Sequence, residues 1–356
     1  MPGPETTPPA QGHHFFSNLI AGYRSAKTVF VATRLGIFPA LADKALTAAE
    51  LAGALKCDPR TMAVLMEALL ALGLVTREAG RFSNSSVAVA HLLPGAPAYI
   101  GNNLKFIDLL WDCWSELETV VRTGKPVKSL PELLHAEDPS FTREYIRGMS
   151  NFSQGAAREV AQVLSQRPVR RVLDVGAGPG AFTRALLERN PDATGTLLDL
   201  PPTLEVAREL LAPSAERPRI ELRPGNYLTD SYGSGFDLVL LSHVTHDESP
   251  AGNARMLAQA YAALEPGGRV AIHDFVLDEQ GSSVFNALFS VNMLVYTEGG
   301  QTYTQREYEG FLKDAGFTPT GAVPILEGRS PNPTVLIIGE KPALATSTPG
   351  KESHNG

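Results

Sequence analysis

The run Val172-Leu173-Asp174-Val175-Gly176-Ala177-Gly178-Pro179-Gly180 is a short apolar strand that enters a turn with glycine at every second position. Ala181 to Arg189 reads as a helix. Thr194 to Leu198 reads as a second apolar strand, which ends on an acid, Asp199. A strand, a glycine loop, a helix and a strand in that order form a nucleoside-binding unit. Glycines let the backbone pass close to a ligand with no Cβ in the way. The helix start offers N–H groups with no partner inside the helix. An acid at the tip of the second strand can hold both hydroxyls of a ribose. Gly176 and Gly178 are therefore expected to allow close approach, and Asp199 to accept from the ribose.

Gly176, Gly178 and Ala181 also satisfy the dinucleotide pattern, with Asp199 near the expected spacing. Three features point away from it. Asp174 ends the first strand, where it repels a pyrophosphate and attracts an ammonium. Pro179 removes one backbone donor from the loop. The loop begins near residue 172, behind a long helical region, whereas a dehydrogenase more often opens with it. A cationic nucleoside carrying an amino acid fits these residues better, and S-adenosylmethionine (SAM) is the common one.

Downstream, strands are expected near 171–175, 194–198, 219–223, 236–241 and 269–275, with a last pair near 319–325 and 333–339. Strands alternating with helices imply a mostly parallel sheet covered on both faces, a Rossmann-like α/β domain. Its ligands sit at the carboxyl ends of the strands. This domain is expected over 166–342, after a helical connector and pocket cover at 101–165.

Upstream, residues 13–100 read as a mainly α, winged-helix-like domain. Phe15 to Arg34 is a long helix with apolar positions on more than one face, which suits packing against a second subunit. Thr47-Ala48-Ala49-Glu50 is a capping box. Asp58-Pro59 caps the next helix, whose stripe runs from Met62 to Leu72 and stops at Gly73. A small hairpin follows, turning at Ala79-Gly80. The helix over 59–72 offers Arg60 as its one base, too few phosphate contacts for a DNA reader. The expected partner is therefore a second copy of the chain, a homodimer, and not nucleic acid. Residues 1–12 and 343–356 read as disordered tails.

Composition agrees. A hydrophobic content of 43% and a charged content of 19% are ordinary for a globular protein, and a net charge of −7 disfavours nucleic acid or an anionic membrane as partner. No apolar run reaches the roughly 18 residues of a membrane span. The N-terminus lacks a basic-then-apolar signal. Cys57 and Cys113 read as free thiols in a reducing compartment, so a cytoplasmic location is expected.

An ordered set of further motifs carries a resemblance. These are Leu198-Asp199-Leu200-Pro201, Gly225-Asn226-Tyr227, Phe236 to Asp247 (ending Ser242-His243-Val244-Thr245-His246-Asp247), Leu264-Glu265-Pro266-Gly267-Gly268-Arg269 and Ile272-His273-Asp274. Over roughly residues 15 to 340 the chain resembles the class I SAM-dependent methyltransferases, and within them the two-domain small-molecule O-methyltransferases of plants and bacterial natural-product pathways. The resemblance implies SAM as cofactor and a small aromatic or polyketide-like acceptor. It places Asn226 and Tyr227 beside the adenine, where the family usually has Asp-Phe, and Leu200 and Ser242 on the cofactor side. Ser153 lies on the helix Phe141–Leu164, which in the family closes over the methionine end.

An unmodified phenol has a pKa near ~10, so a base close to neutrality helps methyl transfer to oxygen. His246 matches the position of the family's catalytic histidine, and Asp274 that of the acid orienting it. A second family carboxylate is replaced by Thr302, with Glu298 close enough in sequence to substitute for it. The helix stripe containing Phe289, Asn292 and Met293 is expected to wall the acceptor pocket, with Trp111 and Met149 contributing; plain core is the alternative for Trp111. His243, His246, Asp247, His273 and Asp274 are also metal-ligand residue types, but no longer ligand motif accompanies them and no metal is expected. Transfer to carbon or nitrogen, with or without a metal, and SAM binding without transfer stay open.

Overall fold

The computed structural model describes residues 9–134, 139–278, 283–328 and 334–343. Residues 1–8 and 344–356, most of the two expected tails, lie outside the described residues. The chain divides into two units. One reaches to Trp111 and includes Arg147–Phe152; the other holds Asp112–Ile146 and everything from Ser153 onward. The 101–165 stretch is thus shared between them.

In the first unit the opening helix runs Pro9–Leu35, longer than expected. It takes in residues 9–12, which had been assigned to a disordered tail; proline is tolerated in a first helical turn, where its missing N–H has no partner to lose. Gly36, at φ 79°, breaks the helix before Ile37–Ala40. The Thr47 capping box is present in full on Ala48–Leu55, and Asp58 accepts from Thr61 N–H at the start of Pro59–Ala71. The hairpin β1 (Val75–Glu78) and β2 (Arg81–Asn84) turns at Ala79 and Gly80, both at positive φ. Met62, Met66 and Leu69 pack with Leu51, Val75 and Phe82 in one core. The stretch 104–121, inside the expected helical connector, forms three short helices, Gly101–Leu109, Trp111–Ser115 and Leu117–Thr123, the last of them in the second unit. Ile107 and Val121 are exposed, so its apolar positions do not all face one core.

The second unit is built on a seven-stranded sheet. Its strands are β3 (Arg171–Val175), β4 (Thr194–Asp199), β5 (Ile220–Pro224), β6 (Phe236–Ser242), β7 (Leu264–Asp274), β10 (Thr318–Ile325) and β11 (Thr334–Glu340). The order is β10-β11-β7-β6-β3-β4-β5. The five strands from β7 to β5 run parallel, and β11 is antiparallel to β7 and to β10. Two short strands, β8 (Val276–Leu277) and β9 (Tyr303–Thr304), pair separately. Alternation along β3 and β6 assigns the faces. Val172, Leu238 and Leu240 join the core with the helix Ala181–Arg189, whereas Leu173, Val175, Val239 and Leu241 join the core with the helices Pro250–Ala263 and Gln305–Asp314. Parallel strands align their carboxyl ends, so β3, β4, β6 and β7 deliver Val175, Asp199, Ser242 and Asp274 to one edge.

Candidate active site

The glycine loop leaves β3 under Leu198, whose carbonyl accepts from Gly176 N–H at 2.9 Å. Gly176 has φ 63°, and a Cβ there would stand 2.7 Å from Val244 Cγ2. No other residue fits without displacing Val244. Gly178, at φ 52°, donates its N–H to Asp199 Oδ2 at 2.8 Å, and Leu200 N–H donates to Oδ1 at 2.7 Å. The acid is therefore aimed by its own backbone. Burial pushes its pKa up to about 6 against those two bonds. Asp174 is almost fully buried and accepts from the Thr183 hydroxyl at 2.7 Å; burial raises it to about 7.

The remaining cofactor-side residues are placed as follows. The Tyr227 ring lies 3.8 Å from where a Gly176 Cβ would be, and its hydroxyl donates to Glu248 at 2.9 Å. Asn226 is exposed, and its side-chain oxygen accepts from Leu228 N–H at 2.9 Å. The Ser242 hydroxyl is 2.9 Å from His273 Nδ1. Ser153 is buried, and its hydroxyl has no hydrogen-bond partner among the described residues.

β6 ends in a short turn, Thr245–Asp247, that carries His246 toward the tip of β7. His246 Nδ1 stands 2.6 Å from Asp274 Oδ1, and its backbone N–H donates to Oδ2 at 3.2 Å. Thr245 and Tyr308 donate their hydroxyls to Oδ2 at 2.6 and 3.3 Å, and Phe275 N–H donates to Oδ1 at 2.8 Å. Asp274 is fully buried. Burial opposes its charge, yet His246, His243 and these hydrogen bonds hold it well below the usual carboxylate range. Burial pulls the His246 imidazolium down, and the charges of Asp274 and Asp247 with the hydrogen bond outweigh it, to about 8. His273 follows the other side of β7: its ring nitrogens meet Ser242 and the Thr334 hydroxyl, the latter at 2.7 Å, and burial keeps it neutral.

The expected second acid needs correction. Glu298 is exposed, and its charge acts on Glu248. Thr302 is buried and donates to Asn286 O at 3.1 Å. The acid beside His246 Nε2 is its sequence neighbour Asp247, at 3.7 Å, with its pKa raised to about 7 by burial. Thr245 and Tyr308 had not been singled out either. Adjacency pointed to Thr245, whereas Tyr308 is far away in sequence and left no signal.

Phe289 meets the His246 ring edge-on at 4.9 Å and belongs to an aromatic cluster with Phe275 and Phe285. Asn292 accepts from Trp114 Nε1 at 2.9 Å, and Met293 is fully buried. Trp111 and Met149 belong to the first unit, where Lys27 Nζ lies 4.5 Å over the Trp111 ring.

Ligand atoms of His243, His246 and Asp274 all lie within 4.8 Å of one another. Two ligands on one ion at about 2.0–2.2 Å stand roughly 3 Å apart. The 2.6 Å between His246 Nδ1 and Asp274 Oδ1 is shorter, the spacing of a hydrogen-bonded pair.

Comparison with known proteins agrees with this geometry. An O-methyltransferase domain model matches residues 114–318, and an O-methyltransferase dimerisation domain model matches residues 17–94. The chain is 33% identical over 343 residues to a 3-hydroxy-5-methyl-1-naphthoate 3-O-methyltransferase of Streptomyces sahachiroi, covering 95% of this chain and 98% of that one. It is 28% identical to the N,N-dimethyltransferase OxyT of Streptomyces rimosus, covering 84% and 89%. The solved structure of PigF with SAH superposes with a TM-score of 0.83 at 28% identity, over 92% of this chain and 99% of that one. The chain belongs to the O-methyltransferase family. It is a SAM-dependent methyltransferase with a dimerisation domain of the family type. The residues present suit SAM: a cradle that a Cβ would fill at Gly176, an acid at the tip of β4 held by two backbone N–H groups, a buried hydroxyl at Ser153 unsatisfied among the described residues, and buried acids that favour a cation. Among the described residues no helix is long and apolar enough to cross a membrane.

Proposed function

We propose that the protein methylates a hydroxyl of a small aromatic or polyketide-like acceptor, with His246 as the general base. The single observation that carries this reading is the 2.6 Å pair of His246 Nδ1 and Asp274 Oδ1. It fixes the tautomer: Nδ1 holds the proton and donates to Asp274, so Nε2 is the basic nitrogen. SAM supplies an electrophilic methyl group and departs as a neutral thioether. Nε2 takes the acceptor's hydroxyl proton, and Asp274 stabilises the imidazolium that forms. Asp247 beside Nε2 adds a second negative neighbour. Phe289 supports the imidazole edge and, with Asn292 and Met293, forms the acceptor wall of this reading. Asp199, Gly176, Gly178, Leu200, Asn226, Tyr227, Asp174, Ser242 and Ser153 serve the cofactor. Glu298 has no part in the base.

The same reading makes the protein a homodimer through residues 13–100 and places it in the cytoplasm, in keeping with the two free cysteines. The resemblance to OxyT supports transfer to nitrogen as the second reading. Formation of S-adenosylhomocysteine with a panel of naphthols and naphthylamines, with and without a chelator, tests both. Turnover of naphthols insensitive to chelator is expected. Turnover of amines alone sinks the hydroxyl reading, and loss with chelator that a divalent ion restores sinks the metal-free base.

A further inference from the structure

Three polar side chains in the second unit form a chain whose direction is fixed. Trp114 Nε1–H donates to Asn292 Oδ1 at 2.9 Å, and Asn292 Nδ2 donates to the Tyr296 hydroxyl oxygen at 3.2 Å. An indole N–H can only donate. It therefore decides which end of the Asn292 amide faces Trp114, and the NH₂ end is left for Tyr296. With its oxygen already accepting, Tyr296 directs its own proton elsewhere. Among the described residues its proton meets Met293 Sδ at 3.9 Å, a thioether and a weak acceptor. A buried, oriented donor thus has a weak acceptor as its partner among the described residues. Tyr296 lies just past the C-terminal end of the helix Val284–Leu294, which carries Phe289 onto the His246 ring near its middle.

We infer that the Tyr296 hydroxyl, oriented by Trp114 and Asn292, donates a hydrogen bond to a neutral carbonyl oxygen of the acceptor at the end remote from the methylated hydroxyl. This rests on the proposed function and deepens it: the substrate class becomes a fused-ring hydroxyaryl ketone or quinone. A neutral group suits the position. Burial first, and then the charge of Asp247, resist a negative charge on Tyr296, and the same surroundings disfavour a carboxylate. Tyr296 here binds the acceptor, and Asn292 and Trp114 are positioning residues.

The test compares kcat/KM for 6-acetyl-2-naphthol, 2-naphthol and 6-hydroxy-2-naphthoate in the wild type, Tyr296→Phe and Asn292→Asp. The second variant keeps the shape and the acceptor for Trp114. It replaces the NH₂ donor by an oxygen, which draws the Tyr296 proton inward. The ketone-to-naphthol ratio of kcat/KM is expected to fall about 3- to 10-fold in both variants, carried by KM. A merely structural role lowers both acceptors alike. Equal losses, or none, overturn the inference and leave the proposed function standing. A wild type that methylates none of the three overturns both. A larger effect of Tyr296→Phe on the naphthoate than on the ketone overturns the assignment of a neutral group.

Discussion

Asp199 and Asp274 each end a parallel strand of one sheet, both are buried, and their ionisation is driven in opposite directions. Asp199 receives two backbone N–H groups and a side-chain bond from Thr203, and burial outweighs them, so the pKa rises to about 6. Asp274 receives His246, Thr245, Tyr308 and Phe275, with a second histidine ring nitrogen 3.7 Å away. Burial raises or fails to raise a carboxylate depending on what donates to it. The β7 acid has its donors within the protein and holds the His246 imidazole. In the proposed function the β4 acid is completed by the hydroxyls of a ribose, so that one tip of the sheet serves chemistry and the other binding.

Removing the base should have the largest effect. His246→Ala is expected to lower turnover about 10²–10⁴-fold at saturating SAM, read as S-adenosylhomocysteine release. Its SAM affinity by calorimetry should stay near wild type; a large loss of affinity would merge the two tips into one functional unit. Alkaline pH should partly restore the variant with a phenolic acceptor, because the phenolate then forms unaided.

On the binding side, Asp199→Ala should weaken SAM by about 1.5–3 kcal/mol, roughly 10–150-fold, through loss of charge-assisted hydrogen bonds. Unchanged affinity in a folded variant removes Asp199 from the ribose.

The pH dependences should also separate the tips. His246 must be neutral to accept a proton, and its pKa is raised to about 8, so kcat/KM should climb with pH and level off above about 8. A bound sulfonium disfavours the imidazolium, which should move the kcat limb to lower pH. Asp199 must be charged to serve a cationic ligand. SAM affinity should therefore fall as pH drops through about 6. A kcat/KM profile flat between pH 6 and 9 breaks the comparison.

The smallest effect is expected at Asp174. Thr183→Val keeps the shape and deletes the 2.7 Å bond to this buried acid. Stability should fall by about 1 kcal/mol, measured by urea titration of the protein without ligand. Asp174 should become harder to ionise, so the loss should be smaller at acid pH, where the carboxyl is already neutral. A loss independent of pH would mean that the hydroxyl acts on packing alone.

Legibility in the sequence followed the range of the interaction. The strands of the sheet, the capping box at Thr47 and the aspartate cap at Asp58 were readable because each depends on residues a few positions apart. So was the glycine loop: Gly176 must be glycine for its own φ as well as for Val244. The breaks between the short helices of the 101–165 connector were not legible, because apolar spacing does not reveal where a helix stops. The side-chain direction of Glu298 was not legible for a related reason. Nearness in sequence to the missing carboxylate says nothing about the direction of a side chain, and this one faces solvent.

The sequence by itself determined a parallel α/β sheet with a glycine loop, an acid at the tip of β4 and a histidine after β6, because continuous apolar runs and local turn chemistry are written residue by residue. Only the tertiary structure decided which groups meet across long gaps. It gave Asp274 both His246 and Tyr308, made Asp247 the second acid at the imidazole, and joined Trp114 to Asn292. Those pairings follow from strand register and helix docking, which set distances that no local pattern encodes.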